Sequence, residues 1–160
     1  MQYDQFQQDL ERIYQSEVYG IALFAMAKRV AKNSERKAKW DRLLRLEEVT
    51  LACFEQYAEQ HGVHFRYPLL WQLKGRAEGA ALGLLPWRLA MKLLKDGTRD
   101  FQVKFKRLKD NADPSTQSFF NYVYAHEKSI EAFAMAELAN KQDTLTGVEG
   151  VIVKGCELNG

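Results

Sequence analysis

A chain of 160 residues, 46% hydrophobic and 28% charged, has the length of one domain and the composition of a globular protein, which argues against disorder. Its formal net charge of +2 is too small to point to a partner. No window approaches the roughly 18 apolar residues of a membrane span, because the most apolar region, Ala77 to Leu94, is broken by Glu78, Pro86, Arg88 and Lys92.

The start, Met1-Gln2-Tyr3-Asp4-Gln5-Phe6, has neither the basic residues nor the apolar run of a signal peptide, so a cytoplasmic location is expected. Three prolines and ten glycines leave room for long helices. A first segment, Gln5 to Lys32, carries Phe6, Leu10, Ile13, Tyr14, Ile21 and Phe24 at spacings of three, four or seven, a helical stripe. Asn33-Ser34 caps a second, Glu35 to Gln60, whose stripe is Trp40, Leu43, Leu44, Leu51, Phe54 and Ala58 and which Gly62 ends. Val63 to Leu85 reads as a connector: a loop through Tyr67, then a short helix opened by Pro68, weakened by Gly75, Gly79 and Gly83.

A third long segment runs from Pro86 to Lys109 with Trp87, Met91, Leu94, Phe101, Phe105 and Leu108 inward; Gly97 is expected to weaken or bend it. Phe101, Val103 and Phe105 also alternate, which leaves a strand open there. Asp113-Pro114 signals the start of a fourth helix, with Asp113 as cap and Pro114 in the first turn, reaching Asn140. Residues 141–160, with four glycines, read as an irregular tail with a short extended piece at Val148–Val153. Cys53 lies in an apolar helical pattern and Cys156 in the tail, so free thiols and a reducing compartment are expected rather than a bridge. Short links within each pair of long segments and a long one between the pairs imply two antiparallel hairpins joined by a crossover, an all-α four-helix bundle over residues 1–140.

A charge in the middle of an apolar helical face costs free energy unless it is paired or bound. Three residues break the stripes in this way. Glu17 has Ile13, Tyr14, Gly20, Ile21 and Phe24 as its helical neighbours; Glu47 has Leu43, Leu44, Thr50, Leu51 and Phe54; His126 has Tyr122, Val123, Ser129, Ile130 and Phe133. A phenylalanine follows each seven positions later. Glu47 to Phe54 aligns with His126 to Phe133 at an offset of 79 residues, and the same offset carries Glu17 to Asp96, as duplication of a helical hairpin would leave.

This layout resembles the ferritin-like superfamily, in its rubrerythrin-like, di-iron carboxylate branch, over Gln5 to Asn140. Members place a glutamate on one helix and Glu-x-x-His on the next, then repeat the pair, and the run from His126 to Ala134 looks like the last helix of such proteins. The resemblance implies a ferritin-like four-helix bundle and a metal site. This sequence departs from the motif: Thr50 follows Glu47 at +3, Leu51 follows Glu48 and Ile130 follows Glu127, so neither hairpin keeps the motif histidine. The inward stripe of the third segment carries Leu94 and Thr98, which leaves Asp96 at its edge. What the resemblance implies is therefore a reduced site of Glu17, Glu47, His126 and Glu127. It would hold one ion or a weak pair, iron first, with manganese or zinc as alternatives, in an oxidation-linked or metal-handling role. Tyr14 and Tyr122 are candidate redox neighbours. Which of Glu47 and Glu48 faces inward is open, though Arg45 and Glu55 beside Glu48 favour exposure.

The competing reading is a non-catalytic bundle without metal, in which an imidazolium at His126 joins two carboxylates and the protein acts through its surface. A homodimer sealed by Trp40 or Trp71 fits either reading. The third segment is basic, with Arg88, Lys92, Lys95, Arg99, Lys104, Lys106, Arg107 and Lys109 against Asp96 and Asp100, and could meet a membrane surface or an acidic partner. Nucleic acid is not expected, because acids abound on the other helices and no reading motif occurs. His61 and His64 read as an exposed loop pair. Hydrolase and nucleotide-binding motifs are absent.

Overall fold

Six helices and short links make up the computed structural model, which describes residues 3–156: α1 (Tyr3–Val30), α2 (Ser34–His61), α3 (Leu69–Leu84), α4 (Trp87–Asp110), α5 (Gln117–Leu138) and α6 (Thr146–Lys154). There is no strand among the described residues, so the alternation at Phe101–Phe105 belongs to a helix. Asn33 caps α2 with its side chain accepting from the Arg36 N–H at 2.9 Å. Gly62 ends α2 at φ 62°, in the left-handed region that glycine enters without a Cβ penalty.

The apolar stripes meet as expected. α1 and α2 form one antiparallel pair, tied at one end by Lys28–Asp41 (2.6 Å) and by Phe24 stacked on Trp40. α4 and α5 form the other, tied where Trp87 donates to Glu137 (2.6 Å). α4 runs antiparallel to α1, since Arg107 near its end grips Asp9 near the start of α1 with two hydrogen bonds of 2.6 and 2.8 Å. Two apolar clusters fill the bundle. One contains Phe24, Trp40, Leu43, Met91, Ile130 and Phe133; the other contains Leu10, Ile13, Phe54, Phe105, Phe119 and Val123. On each of these four helices a buried polar stretch separates them: Glu17 on α1, Glu47 and Thr50 on α2, Thr98 on α4, and His126, Glu127 and Ser129 on α5.

Several expectations are corrected. The connector glycines do not weaken α3; they let it lie directly on the α1 backbone. A Cβ at Gly75 would stand 2.5 Å from the Tyr19 carbonyl oxygen, at Gly79 2.2 Å from that of Leu23, and at Gly83 2.6 Å from that of Ala27. The pairs advance in step, so α3 runs parallel to α1 and returns the chain to the start of α4. Gly97 does not interrupt α4 either. The fourth long helix begins at Gln117, because residues 114–116 form a turn and Asp113-Pro114 precedes rather than opens the helix.

The segment from Thr146, expected to be irregular or extended, is helix α6. Its apolar face puts Val148 in the core with Val151 and Ile152 packed against it, and Arg42 of α2 holds Glu149 through two bonds of 2.5 and 2.7 Å. Docking of α6 carries Cys156 to Cys53, and the two form a disulfide with Cα atoms 5.9 Å apart. The free-thiol reading is therefore wrong, and the cysteines give no support to a reducing compartment. Trp40 is not available to an interface, being 1% exposed between Phe24 and Trp87. No described helix is long and apolar enough to cross a membrane.

Candidate metal centre

Glu17, Glu47 and His126 come from α1, α2 and α5 and meet in the polar stretch between the two apolar clusters. One ligand atom from each lies within 4.8 Å of the others, and the residues are 1%, 4% and 1% exposed. The imidazole sits between the carboxylates: Nδ1 is 3.7 Å from Glu17 Oε1, and Nε2 is 3.6 Å from Glu47 Oε1. Both distances exceed the roughly 3.2 Å limit of an N–H···O bond. The ring nitrogens and Glu17 Oε2 have no hydrogen-bond partner among the described residues. Both contacts are within ion-pair distance, so the ring lies where the imidazolium of the competing reading would sit, without a hydrogen bond to either carboxylate.

Buried polar atoms are almost always satisfied, and leaving one bare costs about 1–3 kcal/mol, more for a charged group. One ligand atom each of Glu17, Glu47 and His126 lies close enough to the others to share an ion. Oxygen and imidazole donors of this kind suit a divalent ion such as iron, manganese or zinc.

Gly20 shapes the set and is the residue that sequence reasoning missed. It lies one turn after Glu17 on α1. A Cβ there would stand 2.5 Å from Glu47 Cδ and 2.7 Å from each Glu47 carboxylate oxygen. The Glu47 carboxylate occupies the space where a side chain would be. The signal was present in the sequence as a glycine in a helix interior, where it costs about 1 kcal/mol relative to alanine.

Glu47 is the inward residue of its pair; Glu48 is exposed beside Arg45 at 3.4 Å. Glu127 is 7% exposed and lines the same cleft as the trio without joining its close contact. Burial raises the pKa of Glu17 well above the usual carboxylate value, and the charge of Glu47 beside it, a hydrogen bond between the two carboxyls and then the charge of Glu127 raise it further. Burial likewise raises Glu127, followed by the charges of Glu47 and Glu131, with Lys128 opposing.

Asp96 is exposed between Lys95 and Arg99 and takes no part. Tyr122 does face the group: burial raises its phenol, as do the charges of Glu17 and Glu47, while its contact with Thr50 at 3.4 Å opposes. Tyr14 turns the other way, stacked on Phe65, with Glu55, Tyr67 and Glu11 as its charged surroundings. His61 and His64 are exposed, and His61 stacks on Tyr57.

Compared with protein-family models, curated proteins and solved structures, the chain matches none.

A cleft that opens at the surface reaches down to the buried cluster. This cleft of about 640 Å³ lies between α1, α3, α4 and α5, and Glu17, Glu47, His126 and Glu127 line it together with Gly20 and Thr98. Its remaining lining is mainly apolar, with charged residues from α1, α3 and α4. The basic helix α4 is largely committed within the fold. Arg107 holds Asp9, Lys106 pairs with Asp110, Lys95 and Arg99 flank Asp96, and Arg88 donates to the Leu138 carbonyl.

Proposed function

We propose that this protein is a ferritin-like bundle whose reduced site binds one divalent transition-metal ion, iron first and manganese or zinc as alternatives, for an oxidation-linked or metal-handling role. The observation that carries this reading is the meeting, at the bottom of a cleft, of three buried side chains from α1, α2 and α5, with one ligand atom each of Glu17, Glu47 and His126 within 4.8 Å of the others. The arrangement of the helices supports the ferritin-like part of it: two antiparallel pairs joined through α3, with the donors drawn from both pairs.

An ion held there would supply Lewis-acid chemistry and, if iron or manganese, one-electron chemistry as well. Glu17, Glu47 and His126 bind it. Gly20 leaves room for the Glu47 carboxylate in its present orientation. Glu127 keeps its proton to higher pH than an exposed glutamate and stands at the cleft floor, where it can exchange that proton with whatever enters. Tyr122 adds an oxidisable phenol within reach of the cluster's field.

Elemental analysis before and after aerobic loading with ferrous iron tests the reading, alongside a Glu17→Ala, His126→Ala double variant. One ion per chain in the parent and none in the folded variant is the expected result. A parent that takes up no metal under any loading refutes it.

A further inference from the structure

The same cleft is larger and more apolar than a metal ion, dioxygen or a peroxide requires. Its volume of about 640 Å³ falls within the roughly 300–1,000 Å³ of small-molecule sites. Leu23, Leu82, Leu85, Leu93, Phe101 and Ile130 form its walls, drawn from all four surrounding helices or their ends. Leu93 is 49% exposed, which places it toward the mouth. Water in such a space finds few partners, and an apolar chain finds many.

Charge is divided along the depth. The floor carries three carboxylates, Glu17, Glu47 and Glu127, and the rim carries the cations Arg12, Lys74 and Lys104 with the acids Glu78 and Asp100. Glu78 is engaged by the Tyr19 hydroxyl and by Lys74. Arg12 lies over the Trp71 ring at 4.7 Å and donates to Gln15, and Lys104 lies over the Phe101 ring at 5.5 Å and donates to the Asp100 carbonyl. Two rim cations, one from α1 and one from α4, thus sit on aromatic rings without a carboxylate partner among the described residues. The rim offers an anion cations free of ion pairs and the deeper walls offer an alkyl chain apolar contact, which fixes the direction in which an amphiphile enters.

We infer that the cleft binds a single-chain anionic amphiphile, its charged head between Arg12 and Lys104 and its alkyl chain running down the apolar walls toward Glu127 and His126. This names the substrate class of the site proposed above. It rests on that reading only for what the floor then does to the chain; the binding itself needs no metal.

Binding is measured by titrating metal-free and metal-loaded protein with dodecanoate and dodecyl phosphate, which separate carboxylate from phosphate heads. Dodecanol and dodecyltrimethylammonium serve as the neutral and cationic controls. Tryptophan fluorescence reports occupancy, because Trp71 lines the cleft while Trp40 and Trp87 do not.

The expected result is saturable one-to-one binding of at least one anionic probe, with the cationic probe at least about tenfold weaker. Gly97→Leu should abolish it, since Gly97 lines the cleft and a Cβ there meets nothing within 4 Å. Leu93→Glu, a change at an exposed wall position, should do the same and covers the case of a Gly97 variant that does not fold. Arg12→Ala with Lys104→Ala should weaken the anions by about fivefold, as two exposed charge contacts predict, and leave dodecanol unchanged. Absence of saturable binding by either anion overturns the inference. So does binding undisturbed in folded Gly97→Leu or Leu93→Glu, or a cationic probe that binds as tightly as the anions. Amphiphile binding without metal uptake would remove the metal reading and leave this one standing; metal uptake without amphiphile binding would do the reverse.

Discussion

Gly20→Ala offers a test of the metal centre that removes no ligand. The new Cβ would lie 2.5 Å from Glu47 Cδ, whereas ordinary contact begins at 3.4 Å, so the carboxylate must retreat by about 0.9 Å. Metal–ligand distances tolerate about 0.2 Å, so a shift of this size takes Glu47 out of coordination. Affinity should fall by at least about tenfold, a conservative figure given that disturbing a ligand's support alone costs 10–100-fold. The fold should not suffer equally. The displaced group is the end of a flexible side chain beside an open cleft, and alanine in a helix interior gains about 1 kcal/mol over glycine. For a chain of this size 1 kcal/mol corresponds to about 2–4 °C. The metal-free variant should therefore melt within a few degrees of the parent while isothermal titration with ferrous or manganous ion shows the loss. A variant that binds metal as the parent does would refute the assignment of Glu47 as a ligand in this geometry.

Three further outcomes are expected. Glu17 has a folded-state pKa above the unfolded value, so its stabilising contribution is full below about 4.5 and is lost as pH rises through the folded value. Metal-free parent should therefore lose stability relative to Glu17→Gln as pH rises above about 4.5, measured as urea midpoints, and a gap that does not change with pH would count against the burial of this carboxyl. Gly79→Ala would press a Cβ to 2.2 Å from the Leu23 carbonyl oxygen, a rigid backbone atom; separating α3 from α1 should cost about 1–3 kcal/mol, and an unchanged melting temperature would contradict the close packing. The Cys53–Cys156 bridge spans a sequence separation of 103 residues, for which chain entropy gives up to about 4.7 kcal/mol; reduction, or Cys53→Ser, should lower the melting temperature by several degrees, and no change would show that the bridge does not form in solution.

The long helices could be read in the sequence because their stripes have a period that any partner face would satisfy. Glu17, Glu47 and His126 could be read for the converse reason: each interrupts such a stripe, and the structure brings the three together. Asp96 was rightly placed at the edge, since the offset of the repeat sends it to a position that the apolar period leaves outside. The glycines were misread. Gly75, Gly79 and Gly83 count as breakers when only local propensity is considered, and their reason, a backbone passing on the other side, is a tertiary fact. Gly20 is a case of the same kind. Cys53 and Cys156 could not be paired without α6, whose nine residues include two glycines and three valines and show no helical signal strong enough to outweigh an extended piece.

The disulfide has a consequence for how the chain responds to proteases. Residues 139–145 between α5 and α6 include the exposed Lys141, and two of them, Asn140 and Asp143, have positive φ. A single cut after Lys141 would sever α6 from the polypeptide without releasing it, because Cys156 remains bonded to Cys53 and Arg42 still grips Glu149. Nicked protein would run as one species until reduced and as two afterwards, and its last helix would then dissociate as a separate peptide.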